Sequence, residues 1–142
     1  MLKKLIPFFF ILFSCGTNHL YVQVEGIGDD YLASVHVGTP DYRQENPPYG
    51  QRINVLWNFP KNLYYQDLSL KLTVRFWDNV EKNIVYKISK RFGSIFFFFE
   101  NQTRDKEKRI LTYRIEILNA DGKVVETWKH QFWTELIDID EK

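Results

Sequence analysis

The chain has 142 residues, with 19 Lys and Arg against 18 Asp and Glu, and aromatic side chains make up 17% of it. So even a balance of charge argues against nucleic acid as a partner, because phosphate binding needs a concentrated basic face. A single cysteine excludes an internal disulfide framework, so a domain of this length has to hold together by packing, for which its aromatics supply the area.

In chain order, two lysines (Lys3, Lys4) precede an apolar run from Leu5 to Phe13, and Ser14 stands directly before Cys15. The run is shorter than the roughly 20 residues a membrane-spanning helix needs. A charged start, a short apolar middle and a small residue are the parts of an export signal. Leu12-Phe13-Ser14-Cys15 resembles the lipobox of bacterial lipoproteins, with Phe13 departing from the smaller residue usual at that position. The resemblance implies a signal peptide over residues 1–14, a diacylglycerol and further acyl chain on Cys15, and a short tether over 15–19. It implies a membrane partner through that lipid and a place in the bacterial cell envelope. Gly16, where an Asp would favour the inner membrane, makes the outer membrane the expected one. The competing reading is a cysteine discarded with an ordinary signal or kept as a free thiol. Removing residues 1–14 takes away two lysines and no acid, leaving 17 basic and 18 acidic residues.

Residues 20–142 alternate apolar and polar side chains with a period of two, which predicts an all-β chain. Leu20–Val24 and Tyr31–Val37 read as short strands separated by a turn at Gly26–Asp30. Gly38–Gly50, with Pro40, Pro47 and Pro48, is too irregular for a ladder. Ile53–Phe59, Leu68–Phe76, Ile84–Ile88, the run ending Ile95-Phe-Phe-Phe-Phe-Glu100, and Leu111–Ile117 continue the pattern. Asp78-Asn79, Arg91–Gly93 and the charged Asn101–Arg109 break it, and Asn119-Ala-Asp-Gly122 is a hairpin signal. Seven to eight strands at this spacing predict one sandwich. Trp57-Asn-Phe-Pro60 and Tyr113-Arg-Ile-Glu-Ile-Leu-Asn-Ala-Asp-Gly122 resemble strands of fibronectin type III domains, over roughly residues 51–135. That resemblance implies an immunoglobulin-like sandwich and no activity. The proline-rich segment on a small lipidated β domain is also similar to envelope lipoproteins of the chlamydial group, again without an activity to import.

Few residues point to chemistry. Phe96 and Phe98 alternate with Phe97 and Phe99, so one pair fills the core and the other needs cover or a partner. Phe97 and Phe99 are the candidates for the outward, protein-binding pair; a central strand covered by the Gly38–Gly50 connection, or by a Tyr or Arg, is the competing reading. Tyr42, Arg43 and Tyr49 on the proline-stiffened connection are candidates for protein recognition, or for packing across one end of the sandwich. Trp128, His130 and Phe132 share a face by alternation, with Trp133 opposite, which predicts a bulge or a mixed environment. His19, His36 and His130 lack metal-ligand spacing. Gly26-x-Gly28 has no helix behind it to make a phosphate cradle. Asp29 with Asp30, and Asp138, Asp140 and Glu141, read as solvated acids. Arg104–Arg109 reads as a soluble tip. With no Gly-x-Ser-x-Gly elbow, the expectation is a non-enzymatic, lipid-anchored protein-interaction domain, with no metal and no cofactor beyond acyl chains on Cys15. A structural or assembly role in the envelope, or a small-ligand-binding sandwich, is the alternative.

Overall fold

The computed structural model describes residues 18–100 and 108–134. Cys15, the signal segment, residues 104–107 of the charged Arg104–Arg109 stretch and the acids at 138, 140 and 141 lie outside the described residues. Among the described residues seven strands form: β1 (Leu20–Ile27), β2 (Gly50–Asn58), β3 (Ser69–Phe76), β4 (Glu81–Lys87), β5 (Phe92–Glu100), β6 (Ile110–Leu118) and β7 (Val124–Lys129). They make a three-stranded sheet ordered β1-β2-β5 and a four-stranded sheet ordered β4-β3-β6-β7, every pairing antiparallel. This is the all-β sandwich that the alternation predicts. Among the described residues no helix is long and apolar enough to cross a membrane.

Alternation decides which side chains meet between the sheets. Ile53, Val55 and Trp57 of β2 face Leu70, Leu72 and Val74 of β3 and Tyr113, Ile115 and Ile117 of β6 across a continuous core. Phe99 of β5 meets Phe76 of β3 edge-on, with ring centroids 5.7 Å apart, and Trp57 lies 6.1 Å from Tyr86 of β4. The Trp57 indole N–H donates to the Lys90 carbonyl at 2.9 Å, which pins the β4–β5 connection to the core. At the other flank, the backbone N–H and the Nδ1 of His19 both engage the Glu126 carboxylate, at 3.0 and 2.8 Å, tying the start of β1 to β7.

Four local expectations need correcting. Tyr31–Val37 is not a strand: a single 3-10 turn over Asp29–Tyr31 leads into the short helix α1 (Ala33–Val37). The apolar residues of that alternation, Tyr31, Val35 and Val37, are exposed, while Leu32 and Ser34 are buried. Among the described residues no strand pairs with this backbone, which bonds locally, from Val35 N to Leu32 O and from Gly38 N to Ser34 O. Gly38 ends the helix at φ 67°, in the left-handed region that suits glycine. The predicted turn at Gly26–Asp30 starts too early, since Gly26 and Ile27 pair with Gln51 and Gly50 in the ladder. β5 is an edge strand rather than a central one. Finally, β7 stops at Lys129 and the chain turns, with Trp133 N bonded to His130 O at 2.8 Å, so His130 and Phe132 are not strand residues.

The Asn119–Gly122 hairpin forms as the sequence predicts. Gly122 adopts φ 76°, and the Asn119 side chain accepts from the backbone N–H groups of Asp121 and Lys123.

Candidate functional site

The register of β1, β2 and β5 sets the outer face of the three-stranded sheet row by row. Glu25, Arg52 and Phe98 share one row; Gln23, Asn54 and Phe96 the next; Tyr21, Leu56 and Ser94 a third. Phe97 and Phe99 are therefore the inward pair, and both are buried in the core. The outward pair is Phe96 and Phe98, 63% and 40% exposed. The alternation of the four phenylalanines stands, but its facing is the reverse of the one that made Phe97 and Phe99 binding candidates. Facing depends on the core-side parity of β2, where Ile53, Val55 and Trp57 point inward and pull their cross-strand partners Phe97, Ile95 and Gly93 to the same side.

Arg52 organises the upper part of this face. Its guanidinium donates to Glu25 at 2.5 Å and to the Tyr31 hydroxyl at 2.9 Å. The same group lies 5.5 Å from the ring centroids of both Tyr31 and Phe96. The hydrogen bond to Glu25 does most to hold its pKa above the ordinary arginine value, with desolvation opposing. A permanently charged plane thus bridges an exposed tyrosine and an exposed phenylalanine. Ile27, Tyr31, Pro48, Arg52, Phe96 and Phe98 enclose an open cleft of about 210 Å³. The proline and tyrosine come from the β1–β2 connection, so that segment does cover part of the β5 face. The cover is partial, since Phe96 and Tyr31 remain exposed.

The connection itself separates its three candidates. Tyr42 is 86% exposed. Arg43 is held by its neighbour: Nε and Nη2 both reach the Asp41 carboxylate, the shorter contact 2.7 Å, and Asp41 also accepts the Arg43 backbone N–H. That contact lowers the Asp41 pKa, the side-chain hydrogen bond from Arg43 being the largest cause. Tyr49 is half-buried, its ring beside Gly28, where an added methyl would meet it at 3.8 Å. Tyr42 and Arg43 are thus on display, and Tyr49 serves the inner wall of the connection.

The remaining sequence candidates go to structural tasks. His36 contacts the Asp30 carbonyl at 3.0 Å. His130 stacks near Tyr113 and Phe132, at 5.0 and 5.3 Å. Trp133 lies over two guanidiniums, 4.3 Å from Arg75 and 4.9 Å from Arg114, and Arg75 donates to the Thr134 carbonyl at 2.8 Å. Among the described residues no three His, Cys, Asp or Glu side chains gather as a metal site. Gly26 is a ladder residue, so Gly26-x-Gly28 forms no loop to cradle phosphate.

Sequence reasoning missed Arg52 and Tyr31. Alternation puts Arg52 on the face opposite to Ile53, but its meeting with Phe96 and Tyr31 needs the strand order. What the assembled face offers is apolar area edged by one fixed cation, the composition of protein contact surfaces. Comparison of the chain with protein-family models, curated proteins and solved structures finds no match.

Proposed function

We propose that this chain is a non-enzymatic lipoprotein of the bacterial envelope, in the outer membrane, held by acyl chains on Cys15 and presenting its sandwich to a protein partner. The carrying observation is the exposed aromatic face of Phe96, Phe98 and Tyr31 around Arg52. Aromatic anchors beside an arginine are the residues that dominate contact energies elsewhere. The proline-stiffened connection carrying Tyr42 and Arg43 borders that face and extends it. The lipobox resemblance supports the anchor, and an anchor raises local concentration, so a modest patch can suffice for a lasting contact.

The test places a photoreactive phenylalanine analogue at position 96 in cells and, as control, at Val85, an exposed position on β4. A discrete protein adduct from position 96 and none from position 85 is the expected result. Equal, diffuse labelling from both positions would overturn the contact face. The Cys15→Ala variant separately reads the anchor, and should leave the domain in the soluble fraction. Continued membrane attachment of that variant would overturn the anchor.

A further inference from the structure

The two ends of the sandwich differ in charge, and the proposed anchor attaches at the basic one. Leu20 pairs with Trp57, and the backbone N–H of Asn58 donates to the His19 carbonyl, so Asn18 emerges beside the end of β2. The β2–β3, β4–β5 and β6–β7 connections converge on this end. Phe59 N bonds Arg91 O, Ile88 N bonds Leu68 O, and Ala120 N bonds Gln66 O. Residues 58–68, 87–91 and 119–123 together carry Lys61, Lys87, Lys90, Arg91 and Lys123 against Asp67 and Asp121, all of them exposed. Exposed aromatics stand among them: Tyr65 on the short β2–β3 connection and Phe92 at the start of β5, with Tyr21 beside Leu56 on the adjoining sheet face. The opposite end leans the other way: residues 28–49 hold Asp29, Asp30, Asp41 and Glu45 against Arg43, and the β3–β4 connection adds Asp78, against Lys108 and Arg109 before β6.

Cys15 lies three positions before Asn18, steps that at full extension span about 10 Å. An acyl-bearing Cys15 therefore brings the basic end against the headgroups. Lysine and arginine are drawn to anionic lipid, and tyrosine and phenylalanine settle at the headgroup level. We propose that this basic, aromatic end is a docking face for an anionic phospholipid surface, which stands the domain upright and carries the β1–β2 connection about 25 Å away, the length of an eight-residue strand. The proposal rests on the lipidated reading of Cys15.

The acylated protein in phosphatidylethanolamine–phosphatidylglycerol vesicles would be treated with a water-soluble acetylating reagent, and each lysine quantified by mass spectrometry. Lys108, exposed near the start of β6, is the internal reference. Each basic group near an anionic surface strengthens attachment about fivefold, so Lys61, Lys90 and Lys123 should react at least about fivefold more slowly, relative to Lys108, than in detergent. The protection should vanish at high salt and in phosphatidylcholine vesicles. The paired change Lys90→Glu with Lys123→Glu should abolish it at Lys61 while the protein stays attached. Equal reactivity at both ends, with the acylated Cys15 peptide present, overturns the docking face and leaves the anchor standing. An unacylated Cys15 peptide overturns both. Protection that persists in phosphatidylcholine or at high salt overturns the anionic lipid as occupant and points to a second protein surface.

Discussion

A methyl group added at Gly93 would place its carbon 2.9 Å from Cζ2 of Trp57. The glycine is needed for space, because the indole lies flat against that stretch of β5. Neither partner can give way readily, since Gly93 is fixed in register opposite Trp57 and the indole N–H is fixed to Lys90. Gly93→Ala should therefore lower stability by about 1–3 kcal/mol, the usual cost of overpacking, read as a lower urea midpoint with an unchanged slope. Tyr113 supplies a pH effect with a definite sign. Burial raises its hydroxyl pKa above the ordinary value, with a hydrogen bond from Trp128 opposing. In the unfolded chain the hydroxyl ionises near pH ~10, whereas the folded domain keeps it neutral to higher pH. Its contribution is complete below that pH and is lost as pH rises through the folded value. Urea midpoints should fall above pH ~10 and fall less steeply in Tyr113→Phe, whose loss of a hydrogen bond costs about 1 kcal/mol at neutral pH. Matching slopes for the two proteins would refute the assignment. At this scale the sequence was informative about type and silent about facing: the four phenylalanines were legible as two alternating pairs, and which pair is buried came only from the neighbouring strand.

Among the elements, β5 carries the sharpest conflict between folding and solubility. It lies at the edge of the three-stranded sheet, and from Phe92 to Phe99 it has no charged side chain. An apolar edge of this length is a template for pairing with another chain. Ser94 stands exposed midway along its outer face, between Phe92 and Phe96. Ser94→Lys should raise the concentration at which the protein self-associates, read by sedimentation or light scattering, and shift stability by less than about 0.5 kcal/mol. Unchanged self-association would show that this edge is already shielded. β2, β3 and β6 were legible because each keeps apolar residues on one face over several alternations. The failure at Tyr31–Val37 has the same root. Alternation reports which residues share a face only if a ladder forms, and here the backbone bonds to itself in α1 instead.

For the molecule as a whole, the strand order converts a patternless charge list into a polarity. The sequence reads as nearly neutral, yet the connections at the end bearing Asn18 carry an excess of lysine and arginine, and the β1–β2 connection at the other end carries an excess of acids. That sorting underlies the lipid-docking proposal, and the salt dependence of lysine protection tests it at this scale. The aromatic face has the same origin. Arg52, Tyr31 and Phe96 lie far apart in the chain, and they meet because β2 pairs with both β1 and β5. By itself the sequence determined the all-β class, the number of strands to within one, the hairpin at Asn119–Gly122 and the identity of most core residues. These depend on period-two burial and on turn chemistry, both of which are local. Only the tertiary structure decided the facing of β5, its place at a sheet edge, the helix at Ala33–Val37 and the assembly around Arg52. Each of these turns on which strand becomes whose neighbour, and that choice is made by long-range packing of apolar faces, which no single stretch of chain encodes.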